Sequence, residues 1–236
     1  MTITNSTISD NVAGFTQPGE TGLGGGISNS GTLTMTNCTI SGNSAHGSTF
    51  KGGGVGGGIY NGNGSADIGN STLSGNQADV HGGSIYGGTF EIGNSILNAG
   101  GPENIYGATV TSQGYNVCSD DGGGFLNGPG DQINTNPLLG PLQDNGGLTF
   151  TYELLIGSPA IDAGDPKFTP PPYYDQRGPD FWRLRNGRID VGSFEVQSGS
   201  TPTPTPTATA TPTPTATPTS RAKPTPRSRP TPRPRP

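Results

Sequence analysis

The chain has 236 residues, only 28% of them apolar and 12% charged, with 42 glycines and 23 prolines. So little apolar material excludes a thick globular core and suits an elongated repeat with a narrow interior. Residues 1–200 hold all 17 acidic residues and six of the 12 basic ones, a net charge of −11, while residues 201–236 carry +6. A body this acidic is a poor partner for nucleic acid, whose binding rests on Lys and Arg neutralising phosphates.

The chain opens on ITNSTISDN (from Ile3), a phrase that returns as MTNCTISGN (from Met35) and IGNSTLSGN (from Ile68). The Asn-x-Thr in each could be a glycosylation acceptor, but a fourth phrase, IGNSI at Ile92, keeps the Asn and loses the acceptor. Asn5, Asn37, Asn70 and Asn94 therefore read as one structural ladder, each accepting a strained backbone between two short strands. Asn11, Asn43 and Asn76 recur six residues further on. Cys38 stands where Ser6 and Ser71 stand in the sister phrases, so it reads as a small inward side chain, and two cysteines are too few for a disulfide framework or metal site.

Longer units surround these phrases, beginning at Gly24, Gly56 and Gly82, with a degenerate copy, NIYGATVTSQGYNV, from Asn104. Within them Leu33 and Met35, then Phe90 and Ile92, alternate with Thr, Glu and other polar residues, the period-2 pattern of strands with one buried face. Short strands with a Gly-Asn-Ser bend every few residues predict a parallel β-solenoid over residues 1–130, its coils about 4.8 Å apart. HGSTFKGGGV (from His46) reads as a loop leaving the coil. Met1 aligns with Leu33 in mid-coil, so further coils and a leader are expected upstream; MTITNSTISD itself lacks the basic and apolar regions of a signal peptide.

From Asp131 the phrasing changes. Leu148, Phe150, Tyr152 and Leu154 alternate as a predicted longer strand, and Ile189 and Val191 begin another. The pieces NTNPLLGPLQDNGG, GSPAIDAGD, DQRG and GRIDVGSFE, following GGGIYN and NSTLSGN coils, resemble bacterial surface proteins with right-handed parallel β-helix repeats that end in a choice-of-anchor domain of the Q type. The resemblance spans nearly all of residues 1–197. It implies a right-handed helix, extracellular or cell-surface placement, a C-terminal module over 131–197, and no enzyme activity.

Residues 198–236 are a Pro/Thr/Arg-rich tail that cannot build a core and is expected to be an extended, disordered stalk. Its Arg221, Lys223, Arg227, Arg229, Arg233 and Arg235 either hold an anionic cell-envelope polymer or decorate a solvated linker. No run reaches the roughly 18 apolar residues of a membrane span.

Parallel β-helices often cleave acidic polysaccharides, which requires a base and a cation such as calcium, or paired carboxylates. Lys51 is the single Lys or Arg of residues 1–130, so His46, Lys51 and His81 are the one set there that could supply a base; the alternative is two solvent-facing loop histidines. Asp120 and Asp121 are adjacent and read as turn formers. In the end module Asp162, Arg177, Asp190 and Glu195 are expected to form a structural charge network, with Arg177 forked onto a carboxylate such as Asp190, in a cap that closes the helix. Asp162 and Asp165 are the residues a calcium ion would use instead. Tyr60, Tyr86 and Tyr106 each follow a stacked isoleucine, so all three point outward on one face, either to bind sugar rings or a surface protein or to stack on each other. The sequence thus predicts an all-β, right-handed parallel β-helix with a structural or adhesive role. A polysaccharide lyase or glycoside hydrolase, or a non-binding spacer, remain as the alternatives.

Overall fold

The computed structural model describes residues 1–14, 20–47 and 53–197. The first coil holds β1 (Thr2–Thr4), β2 (Thr7–Ser9) and β3 (Val12–Ala13). The second holds β4 (Ile27–Ser28), β5 (Thr32–Thr36), β6 (Thr39–Ser41) and β7 (Ser44–Ala45), and the third β8 (Ile59–Tyr60), β9 (Ser65–Gly69), β10 (Thr72–Ser74) and β11 (Gln77–Ala78). Next come β12 (Ile85–Tyr86), β13 (Thr89–Gly93) and β14 (Ile96–Asn98), then β15 (Ile105–Tyr106), β16 (Thr109–Gly114) and β17 (Val117–Cys118). The C-terminal segment adds β18 (Leu139–Gln143) and β19 (Thr151–Leu154), paired antiparallel.

Strands of successive coils pair parallel into four sheets. A broad sheet joins β1, β5, β9, β13 and β16; a flank sheet joins β2, β6, β10, β14 and β17; a narrow sheet joins β3, β7 and β11; and an edge sheet joins β4, β8, β12 and β15. This is a parallel β-helix, and the predicted register is the observed one: Thr2 pairs with Thr34, Thr72 with both Thr39 and Ile96, and Ile85 with both Ile59 and Ile105.

The interior is one apolar stack. Leu33, Met35, Ile40, Ile59, Ile68, Leu73, Ile85, Phe90, Ile92 and Leu97 are at most 1% exposed and pack together with Cys38 and Cys118. The coil turns between broad and flank sheets need a left-handed residue. Asn5, Asn37, Asn70 and Asn94 supply it with φ of 48–54°, and Tyr115 takes the same place in the last coil. Asn tolerates that conformation because its side chain can bond locally, and Asn37 Nδ2 donates to Asn5 Oδ1 (3.2 Å). A second, fully interior ladder runs through Asn43 and Asn76. Asn76 Oδ1 accepts both the backbone N–H and the amide of Asn43.

The C-terminal segment departs from expectation. It lies along the helix, packed on the outer face of the flank sheet. Ile96 and Val117 of that face join Leu154, Ala160, Val191 and Phe194 in a second apolar core. Toward the first coils the contact turns polar. Thr39 Oγ1 donates to Gln176 Oε1 (2.6 Å), Gln176 Nε2 to Thr7 Oγ1 (2.7 Å), and Ser193 N to Thr72 Oγ1 (3.0 Å). Ser41 and Tyr152 share a hydroxyl hydrogen bond (2.6 Å). The charged network is therefore a side cover, because Thr and Ser on the flank sheet give it partners that an end cap would lack. Leu126, following a 3-10 turn at Gly122–Gly124, packs onto the coil core instead. The predicted strand from Leu148 starts only at Thr151. Leu148 is 99% exposed and Phe150 55%, so the apolar alternation there continues out into a loop. Ile189 and Val191 are fully buried but lie outside any strand; Ile189 O accepts from Gly164 N and Val191 N donates to Ala160 O (2.9 Å each).

Candidate binding face

With the flank sheet covered, the outward side of the broad sheet is left open among the described residues. Its outward residues form columns set by the pairing register: Thr32, Ser65, Thr89 and Thr109 in one, and Thr2, Thr34, Asp67, Glu91 and Thr111 in the next. Neighbours in a column sit one strand spacing apart, about 4.8 Å, and the columns stand two residues apart, about 6.6 Å. The inward partners Leu33, Ala66 and Phe90 anchor this hydroxyl array to the core. Its middle dips into a depression of about 300 Å3 lined by Thr32, Thr34, Ser65, Asp67, Thr89 and Glu91 over Leu33 and Ala66.

Asp67 and Glu91 were not singled out in the sequence, where 24 positions separate them; only the register makes them neighbours. Burial, and then the charge of Glu91, push the Asp67 carboxyl above its ordinary value. Gln113 Nε2 donates to Glu91 Oε2 (3.1 Å) from the next coil.

Beside this face runs the tyrosine stripe. Tyr86 pairs with both Tyr60 and Tyr106 on the edge sheet. The rings stack with centroids 5.9 and 6.1 Å apart and planes within 12° and 20°. Gly87 and Gly88, both at positive φ, turn the chain from Tyr86 straight into Thr89 of the broad sheet. Of the two expected roles, the stacking of the rings on each other is the one seen. The rings cover one another's faces, and Tyr106 is the most exposed at 44%.

His81 lies over Tyr106 at 3.6 Å, the two rings nearly parallel. Its Nδ1 bonds Glu103 Oε1 (2.9 Å), and His46 Nδ1 bonds Asp79 Oδ1 (2.9 Å). In each case the carboxylate also takes the N–H of the glycine after the histidine, Gly82 or Gly47. Each histidine with its carboxylate is thus a staple between successive coils, and Lys51 lies outside the described residues. Burial works against the Asp79 charge, yet His46 and the Gly47 and Gly54 amides hold its carboxyl below the usual value. Asp120 and Asp121 form turns, accepting from Gly122 N and Gly123 N (2.9 Å each).

The end module's charges are arranged differently from expectation. Arg177 forks onto Asp175, Nη2 to Oδ2 at 2.6 Å, instead of Asp190. Its guanidinium lies 3.9 Å from the Phe181 ring centre and 3.8 Å from that of Phe194. Asp175 is favoured because it also accepts Glu195 N and Arg177 N (2.8 Å each), which joins the DQRG and GRIDVGSFE phrases into one lock. Asp190 instead accepts the amides of Asp162 and Val196. Asp165 accepts Lys167 N, while its own N–H donates to Asn94 Oδ1. Among the described residues no group of three His, Cys, Asp or Glu is placed to hold a metal ion. Arg183, which the sequence did not mark, is fully buried with Nη1 3.9 Å from Glu195 Oε2.

Burial drives Asp190 up to about 6, and burial with the Asp190 charge drives Glu195 up to about 9. Raised carboxyls favour the folded state while protonated, so their contribution is complete below about pH 4 and declines as pH rises toward 9. The lowered Asp79 and Asp120 act oppositely, below about pH 4. Thermal unfolding of the full chain should therefore have a higher midpoint at about pH 5 than at about pH 8. Glu195→Gln should flatten that slope, and an unchanged slope would show that Glu195 is not the group responsible.

Comparison with protein-family models, curated proteins and solved structures finds no match. What the geometry defines is the class: an all-β parallel β-helix with a C-terminal segment covering one flank. No helix among the described residues is long and apolar enough to cross a membrane.

Proposed function

We propose that the protein is a secreted or cell-surface β-helix of the choice-of-anchor type. Its broad sheet and tyrosine edge bind an extended carbohydrate, in a structural or adhesive role. The observation that carries this reading is the contrast between the two long sheets: one is covered by the C-terminal segment, the other displays hydroxyls in rows at the coil spacing. Sugar polymers present hydroxyls along a line, and Thr, Ser and Tyr edges can both donate to and accept from them. The Pro/Thr tail lies outside the described residues, and the charge of its basic end suits an anionic envelope polymer. The acidic body disfavours nucleic acid as a partner.

The test is co-sedimentation of the full chain with insoluble neutral polysaccharides. Thr34→Arg with Thr89→Arg should weaken binding at least tenfold with no change in unfolding temperature; binding that ignores these changes, or no binding at all, would sink the reading. The Asp67–Glu91 pair, placed side by side by the register, favours one second reading, a glycoside hydrolase, since two carboxylates at one glycosidic bond serve hydrolysis. New reducing ends in the same incubations, lost in Asp67→Asn or Glu91→Gln, would replace adhesion with catalysis.

A further inference from the structure

We propose that the broad face selects sugar polymers carrying free amines, of the glucosamine type, over acetylated or uronic-acid polymers. This rests on the carbohydrate-binding reading and names its ligand class. Asp67 and Glu91 are the charged groups in the two outward columns, and the remaining members are Thr and Ser. The face therefore has hydroxyl partners everywhere and negative charge at one place, in the depression.

Like charges directly opposite each other on neighbouring strands destabilise a sheet. Here Gln113 donates to Glu91, while Asp67 stands beside Glu91 in the register, its carboxyl raised first by burial and then by the Glu91 charge. An ammonium group between the two carboxylates would remove that repulsion and gain charge-assisted hydrogen bonds. An acetylated amine brings no charge, and a uronate would add a third negative group. The column direction is the helix axis, so a polymer lying along it passes over both carboxylates while its hydroxyls meet Thr34, Ser65 and Thr89.

The experiment measures binding of the full chain to glucosamine and N-acetylglucosamine hexamers at about pH 5.5, where Asp and Glu are largely ionised. The amine hexamer should bind at least tenfold more tightly, a preference that fades with added salt. Asp67→Asn with Glu91→Gln should abolish the preference and keep the acetylated binding, whereas Glu153→Gln with Asp180→Asn, of equal charge change, should leave the preference in place. Equal binding of both hexamers, or a preference that survives Asp67→Asn with Glu91→Gln, would overturn this inference while leaving carbohydrate binding intact. A lysine hexamer competing as well as the glucosamine hexamer would also overturn it, by showing a site for cations rather than amino sugars. Binding of neither sugar would remove the broader reading as well.

Discussion

Arg183→Ala should lower the unfolding temperature by roughly 10 °C, the largest effect expected of a single side chain here. Arg183 is fully buried between the C-terminal segment and the coils. Its Nη2 donates to Asn37 Oδ1 (3.1 Å), Asn70 O (3.2 Å) and Gly192 O (2.5 Å), so one nitrogen ties two coils to the segment. Truncation strands three buried acceptors and opens a cavity, which together cost about 3–5 kcal/mol. Burial depresses the Arg183 pKa against the pull of the Glu195, Asp175 and Asp190 charges. Arg183→Met separates the causes. If packing alone mattered Met would restore stability, whereas the hydrogen bonds predict only partial recovery. An Ala variant melting within about 2 °C of the parent would show that the segment docks without this residue.

Gly57→Ala should be comparably damaging for a purely steric reason. Gly57 sits at a coil corner where an added Cβ would overlap the backbone carbonyl and nitrogen of Gln77, and Gly25 and Gly83 are equally closed at the same corner of neighbouring coils. Backbone cannot rotate away as a side chain can, so adjacent coils would have to part. Overpacking of this kind costs about 1–3 kcal/mol or more, and in a stacked repeat the disturbance passes to the next coil. Gly69→Ala is the control. Its Cβ would meet nothing within 4 Å, and its strand position makes Ala neutral or better by about 0.5–1 kcal/mol. Denaturant unfolding of both variants should separate them clearly; equal midpoints would show that the corners have room to spare.

The coils were legible in the sequence because their constraints repeat. Left-handed Asn and corner glycines recur at fixed offsets from inward isoleucines, and those offsets alone set which residues stack. The C-terminal segment was not legible in the same way. Thr39, Ser41 and Thr72 sit at outward positions and read as solvated, yet all three are buried beneath it. Nothing in a period-2 pattern tells an exposed outer face from one covered by a later stretch of chain. Arg183 stayed hidden for a related reason: Arg is rarely buried, and its partners lie 146 and 113 residues away. The tyrosine stripe was visible in register, but its ring-on-ring stacking and the His81 lid on Tyr106 depend on side-chain conformation. The Asp67–Glu91 pair could have been found by writing the outward residues in columns once the coils were aligned.

Hydrogen exchange of the full chain, with and without a saturating sugar polymer, tests the binding face most directly. Slowed exchange confined to β5, β9 and β13 and to the corners beside Tyr60 and Tyr86 is the expected result. Protection that falls instead on the C-terminal segment, or none at all at saturation, would contradict the assignment of the open broad sheet as the surface that meets the ligand.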